Sequence, residues 1–302
     1  MNGKISNIEQ LCSVKKLKYY DGREKGENVI NVENGCLSFT VLQDKGFDIY
    51  DLKHKGVNIA FLNKGGICGF NSDFNTMFNG GMLYTCGLDT LGRRKEPIHG
   101  KYHNIPATLS SIKSDSNGIE LTATIRDAGL FANNLQLERT ISCAYNSGKI
   151  FIKNRLTNLG YKDAEYCLLF HINIGYPMLD EGVRIEAPII NTTFYKDNSQ
   201  ERIAKCLKIE EPTANAKEEC FHHDVADGSV KVINEKIKKS VHIIYDKEKL
   251  PCLVEWKSMV SGDYALGIEP STTTLDDKFS CNILKANDCI DFDLIIEVND
   301  FL

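Results

Sequence analysis

The chain has 302 residues, of which 42% are hydrophobic and 25% charged, and its formal charge is -5. That length buries one large core or two modest ones, and mild acidity argues against nucleic acid or anionic membrane as the main partner, since both need a concentrated basic field. No apolar run approaches the roughly 18–20 residues that span a bilayer, and residues 1–10 lack the apolar stretch of a secretion signal, so a cytoplasmic location is expected.

At the start of the chain Ser6-Asn7-Ile8-Glu9 reads as a capping box that opens a short helix through about Val14. Strand patterns dominate thereafter. Segments 35–42, 118–126, 135–145, 149–156, 166–174, 229–233, 241–245, 253–256, 263–269 and 289–298 are rich in alternating, β-branched and aromatic residues. Ser114-Asp115-Ser116-Asn117-Gly118 and Tyr145-Asn146-Ser147-Gly148 have the composition of hairpin loops. In the last segment Ile290, Phe292, Leu294, Ile296 and Val298 alternate with Asp291, Asp293 and Glu297, the pattern of an antiparallel sheet with one wet face. Residues 191–227 are the longest weakly patterned stretch and read as loops with short strands. With no linker, repeat or low-complexity tract, residues 1–302 are expected to form one large all-β sandwich.

Two polar residues interrupt apolar strand patterns. In Tyr166–Ile174 the alternation sends Tyr166, Leu168, Phe170, Ile172 and Ile174 to one face and His171 with Asn173 to the other. In Asp263–Pro270, Glu269 shares a face with Ala265 and Gly267, and small neighbours leave a hollow beside the carboxylate. An imidazole and a carboxylate facing a common groove form a proton-transfer pair. For an arbitrary strand histidine the commoner role is a hydrogen-bonded core residue, and for an arbitrary glutamate a surface ion pair.

Other candidates are less decided by spacing. Arg139 alternates onto the face of Leu137 and Ile141, and an inward arginine needs an acceptor, either a protein carboxylate or ligand oxygens. Trp256, the single tryptophan, serves either as a stacking platform or in the core. Asn79 and Gly80-Gly81 fit either a groove floor with close backbone approach or a tight turn. In Phe221-His222-His223-Asp224 adjacent strand histidines point oppositely and do not share a metal; His223 is either a ligand contact or part of a loop or exposed strand. Eleven cysteines, none in Cys-x-x-Cys, read as small buried hydrophobes rather than disulfides or metal ligands. Gly65–Gly69 lacks the Gly-Lys-Ser/Thr of a phosphate loop, and no Gly-x-Ser-x-Gly element is present.

Four ordered segments carry a resemblance across most of the chain: Asp44-Lys45-Gly46-Phe47-Asp48-Ile49; Asn79 through Leu88 followed by Ile98-His99-Gly100; His171 through Pro177; and Glu255 through Met259 running to Gly267-Ile268-Glu269-Pro270. They resemble the DUF4432 family, a branch of the aldose 1-epimerase (galactose mutarotase-like) superfamily, with Lys45 where arginine is usual. The resemblance implies a β-supersandwich of antiparallel sheets with few short helices and a carbohydrate-binding groove. It implies Glu269 as the base on the anomeric hydroxyl, His171 as the acid on the ring oxygen, and His99 as a second groove histidine that positions the sugar. Lys257 matches a family lysine suited to sugar hydroxyls or an anionic substituent, and Asn79, Asn173, Arg139, His223 and Trp256 complete the expected substrate contacts. The expected partner is a small-molecule sugar, with no cofactor and no metal. A non-catalytic sugar sensor and a sugar isomerase or lyase on the same fold are the alternatives, and monomer and homodimer both remain open.

Overall fold

The computed structural model describes residues 3–92, 97–194, 199–276 and 278–301. Three antiparallel sheets form the body. A five-stranded sheet is built in sequence order from Ser13–Lys18, Asn28–Glu33, Leu37–Leu42, Asp48–His54 and Val57–Asn58. An eight-stranded sheet runs in the order Arg184–Glu186, Ser229–Asn234, Lys239–Tyr245, Cys289–Asp300, Lys149–Asn158, Asn134–Ala144, Gly118–Ala128, Thr108–Asp115. The third sheet runs Ile189–Phe194, Glu219–Val225, Cys252–Val260, Asp263–Ser271, Ala164–Ile174, Asn282–Leu284, with Tyr84–Leu88 also paired to Ala164–Ile174. The helical elements are single turns, and among the described residues none is long and apolar enough to cross a membrane.

All ten strands expected from alternation are present, each at or within a few residues of its expected bounds. One continuous apolar core joins the inner faces of all three sheets, with Phe39 and Ile49, Leu121 and Phe292, and Phe170 and Ile268 among its members. Alternation works because each of these strands sends every second side chain into that core, and a one-residue slip would expose the whole set. Both proposed hairpin loops close tight turns: Asp115 pairs with Gly118, and the turn at 145–148 takes Asn146 through positive φ.

The N-terminal expectation needs correction. The capping box is formed by Asn7 and Gln10, not Ser6 and Glu9, and it opens only a 3₁₀ turn, Ile8–Gln10. The chain then extends, and Val14 lies in a strand paired with Val32. Val14 packs against the core from that strand, so a one-turn helix is all the segment before it can accommodate.

The third sheet departs from the one-wet-face pattern. Along Ala164–Ile174 nearly every side chain is buried, on both faces. The inner face joins the main core; the outer face meets a second apolar cluster of Phe61, Phe78, Tyr84, Cys86, Leu91, Cys167, Leu169, Val254, Ala265 and Phe279. Residues from segments 61–92 and 97–100 thus cover the centre of this sheet and make one wall of the groove described next.

Candidate active site

His171 and Glu269 stand on neighbouring antiparallel strands whose register pairs Leu169 with Ser271 and Ile172 with Ile268, which sets the two opposite each other on the outer face. Nε2 of His171 lies 3.1 Å from Oε1 of Glu269. The approach is too oblique for a hydrogen bond, and Oε1 of Glu269 and Nδ1 of His171 are buried with no hydrogen-bond partner among the described residues. Unsatisfied polar atoms on two adjacent buried side chains are unusual in a structural contact and expected where a ligand completes the bonding.

The hollow beside Glu269 is real, and the two site side chains fill it. A Cβ on Gly267 would come within 2.6 Å of Glu269 Oε1, 2.9 Å of His171 Cε1 and 3.1 Å of the Trp256 Cβ. Glycine is therefore required for the pair to approach.

Above the pair opens a groove of about 790 Å³. Its apolar walls include Phe61, Phe74, Phe78, Leu91 and Trp256, with Ser258 buried among them, and its rim carries Asn63, Lys64, Asn75, Glu218 and Asp263. The Trp256 indole Nε1 donates to Glu218 Oε2 at 3.2 Å, and its ring meets those of Phe78 and His171 edge-on. Trp256 thus lines the groove. His99 reaches the same space from a backbone at positive φ, its ring centroid 5.5 Å from that of His171 and its Nδ1 buried with no hydrogen-bond partner among the described residues. Sequence brings Glu269, His171, His99 and Trp256 together from four separate segments.

Burial dominates the electrostatics. Desolvation raises the Glu269 carboxyl well above the usual carboxylate range. Desolvation, and then the neighbouring His99, hold His171 well below the ordinary imidazole value, while burial brings His99 down to about 4. Burial thus favours the uncharged forms of both groups, a carboxylic acid beside a neutral imidazole, over the ion pair. Moving that proton to His171 gives carboxylate and imidazolium with the same proton count, so both partners can act as donor or acceptor.

Five other expected contacts are placed differently. Arg139 is fully buried and does not line the groove: Nη1 donates to Asp48 Oδ1 at 2.5 Å and to Gly46 O, Nη2 to Thr85 Oγ1, and Nε to Asn154 Oδ1. Of the two acceptors considered for an inward arginine, it takes the protein carboxylate. Asn79 belongs to the same network, its amide 3.2 Å from His103 Nε2, while His103 Nδ1 is 2.7 Å from Asp48 Oδ2. Burial lowers the His103 pKa, so the neutral ring donates through Nδ1 and accepts the amide N–H at Nε2. His103 also stacks on Tyr84, whose strand runs beside His171, so this network braces one side of the site. Asn173 shares the face of His171 but donates to Gly81 O and His171 O, joining the glycine pair to the sheet. Gly80 and Gly81 both have positive φ, and a Cβ on Gly80 would meet Phe61 O at 2.6 Å, so tight turn and close approach coincide there.

Lys257 and His223 lie on the inner face, opposite the groove. Lys257 follows Trp256 and so points the other way; its Nζ donates to the carbonyls of Lys205, Cys206 and Lys208 and lies 3.3 Å from Glu219. A lysine with its donors spent on three carbonyls is a clamp for that loop. His223 is buried rather than in a loop or exposed strand, and bonds Glu255 and Thr192. Sequence reasoning passed over the walls Phe74 and Phe78, whose four-residue spacing on one helical turn was available as a signal, and Asp48 with His103, a charge and an imidazole that only long-range pairing unites.

An all-antiparallel sandwich with a groove across its covered sheet is the galactose mutarotase-like architecture. The model of a family described as "Domain of unknown function (DUF4432)" matches residues 24–280, and the chain belongs to that family. Among solved structures, one described as "a putative aldose 1-epimerase" from Klebsiella pneumoniae superposes with a TM-score of 0.85 at 19% identity, covering 95% of this chain and 83% of the other. A galactose mutarotase-like protein from Clostridium acetobutylicum gives 0.71 at 17% identity, covering 97% and 100%. Identities this low establish the fold. No curated protein matches the sequence.

Proposed function

We propose that this protein is an aldose 1-epimerase-like enzyme that interconverts the anomers of a reducing sugar. The observation that carries the reading is the unsatisfied His171–Glu269 pair, 3.1 Å apart at the floor of a groove with aromatic walls and a polar rim. Aromatic faces suit the C–H surfaces of a pyranose, and rim amides and carboxylates suit its hydroxyls.

In the ionised form of the pair, Glu269 takes the proton from the anomeric hydroxyl while His171 gives one to the ring oxygen. The bond from C1 to the ring oxygen breaks and an open-chain aldehyde forms. Rotation about C1–C2 presents the other carbonyl face; the ring hydroxyl adds to it, and each proton returns. Nothing is consumed, because ring closure reverses at each group the proton transfer of ring opening. Positioned acid–base groups contribute about 10²–10⁴-fold. His99 and Trp256 hold the sugar over the pair. The test is exchange between anomer signals of a panel of reducing sugars by saturation-transfer NMR, with the Glu269→Gln protein as the control.

A further inference from the structure

On the reverse side of the strand that carries Trp256, Cys206, His223 and Glu255 converge in a buried cluster whose Sγ, ring nitrogen and carboxylate oxygen all lie within 4.8 Å of one another. We propose that this cluster is a structural zinc site, independent of the groove. His223 and Glu255 come from paired strands in which Phe221 faces Glu255 and His223 faces Leu253, so the two are diagonal neighbours on one face. Cys206 comes from the loop after the turn Gln200–Ile203, which Lys257 fastens over those strands through the carbonyls of Lys205, Cys206 and Lys208.

Three features distinguish the cluster from an ordinary buried ion pair. One thiol, one imidazole and one carboxylate make a donor set that suits zinc and disfavours magnesium or calcium, which take oxygen. The remaining ring nitrogen of His223 is 2.8 Å from Thr192 Oγ1, directly across the strand pair, the outer-shell contact that orients a ligating imidazole. Glu255 Oε2 is 2.9 Å from His223 Nε2, but Oε1 is buried with no hydrogen-bond partner among the described residues, a second donor atom left over inside the cluster. Lys257 adds no net charge, because Glu219 lies 3.3 Å from its Nζ.

Uptake replaces the His223–Glu255 hydrogen bond by two metal bonds, and the Cys206 thiol gives its proton to solvent as the sulfur–metal bond forms. The site ties the loop at 199–209 to strands Glu219–Val225 and Cys252–Val260, behind Trp256.

The test begins with wild-type protein, stripped with chelator and titrated with Zn²⁺ alone, then with Co²⁺ alone. One equivalent of Zn²⁺ should bind and raise the melting temperature, Mg²⁺ should not, and Co²⁺ should produce a thiolate-to-metal charge-transfer band with tetrahedral d–d transitions. Cys206→Ser should abolish the charge-transfer band, and Thr192→Val should weaken zinc about 10–100-fold. Absence of both zinc-dependent stabilisation and the cobalt band in folded wild-type protein overturns the proposal. So does a folded Cys206→Ser protein that binds zinc with unchanged affinity. His171→Asn should leave zinc binding unchanged, which separates this site from the groove.

Discussion

Gly267 and Glu269 occupy the same face of one strand, and the missing side chain at the first is the space used by the second: a Cβ on Gly267 would stand 2.6 Å from Glu269 Oε1. The distance from carboxylate to imidazole is therefore set two residues away from the carboxylate. Gly267→Ala should fold, at a cost of about 1–3 kcal/mol for overpacking. Displacing the pair by a fraction of an ångström should lower anomer exchange by roughly 10²-fold. Circular dichroism with saturation-transfer NMR checks both halves.

His171→Asn should reduce exchange by about 10²–10⁴-fold while sugar affinity changes little, because the aromatic walls and the rim remain. Titration of the variant with the sugar that the wild type turns over, followed through Trp256 fluorescence, separates the two effects. A comparable loss in affinity and turnover would give His171 a binding role instead.

Arg139 makes the opposite prediction. Its guanidinium is buried against Asp48, so Arg139→Met leaves an uncompensated carboxylate and should destabilise the fold by about 3–5 kcal/mol. Urea unfolding measures this. The protein that remains folded should keep its sugar affinity, since Arg139 does not line the groove.

The depressed and raised titrations have opposite consequences for stability. His171 and His99 stay neutral in the fold below the ordinary imidazole value, so the unfolded chain binds more protons there and stability should fall as pH drops through the range from about 6.5 to about 4. Glu269 holds its proton in the fold above the ordinary carboxylate value, so the folded chain binds more protons there and its share of stability is lost as pH rises. Thermal unfolding across pH should show His99→Gln flattening the acid side and Glu269→Gln raising stability at neutral pH.

Much of this arrangement is legible in the sequence because strands report direction. Period-two alternation placed His171 and Glu269 off the core face, and their neighbours Phe170, Ile172 and Ile268 lie in the main core while the pair lines the groove. Some strands that alternation did not find are short, such as Val57–Asn58 and Asn282–Leu284, or lie where both faces are covered, such as Tyr84–Leu88, and Thr108–Asp115 is a longer edge strand with no buried side chain, so none of these carries a clear apolar period. Inward-pointing charges marked Arg139 as needing an acceptor, but nothing local could say that Asp48, some ninety positions earlier, supplies it. Lys257 shows the converse: its parity with Glu255 set it on the face opposite Trp256, a consequence of alternation that a motif match alone does not convey.

The central claim is that Glu269 and His171 move protons on a bound hemiacetal. Its most direct measurement is saturation-transfer NMR of reducing sugars with wild-type and Glu269→Gln proteins at equal concentration. Transfer between the α and β anomer signals of at least one sugar in the wild type, falling to the uncatalysed rate in a folded Glu269→Gln protein, is the predicted result. Full exchange in the variant, or sugar-induced thermal stabilisation of the wild type with no exchange for any sugar that binds, would contradict it.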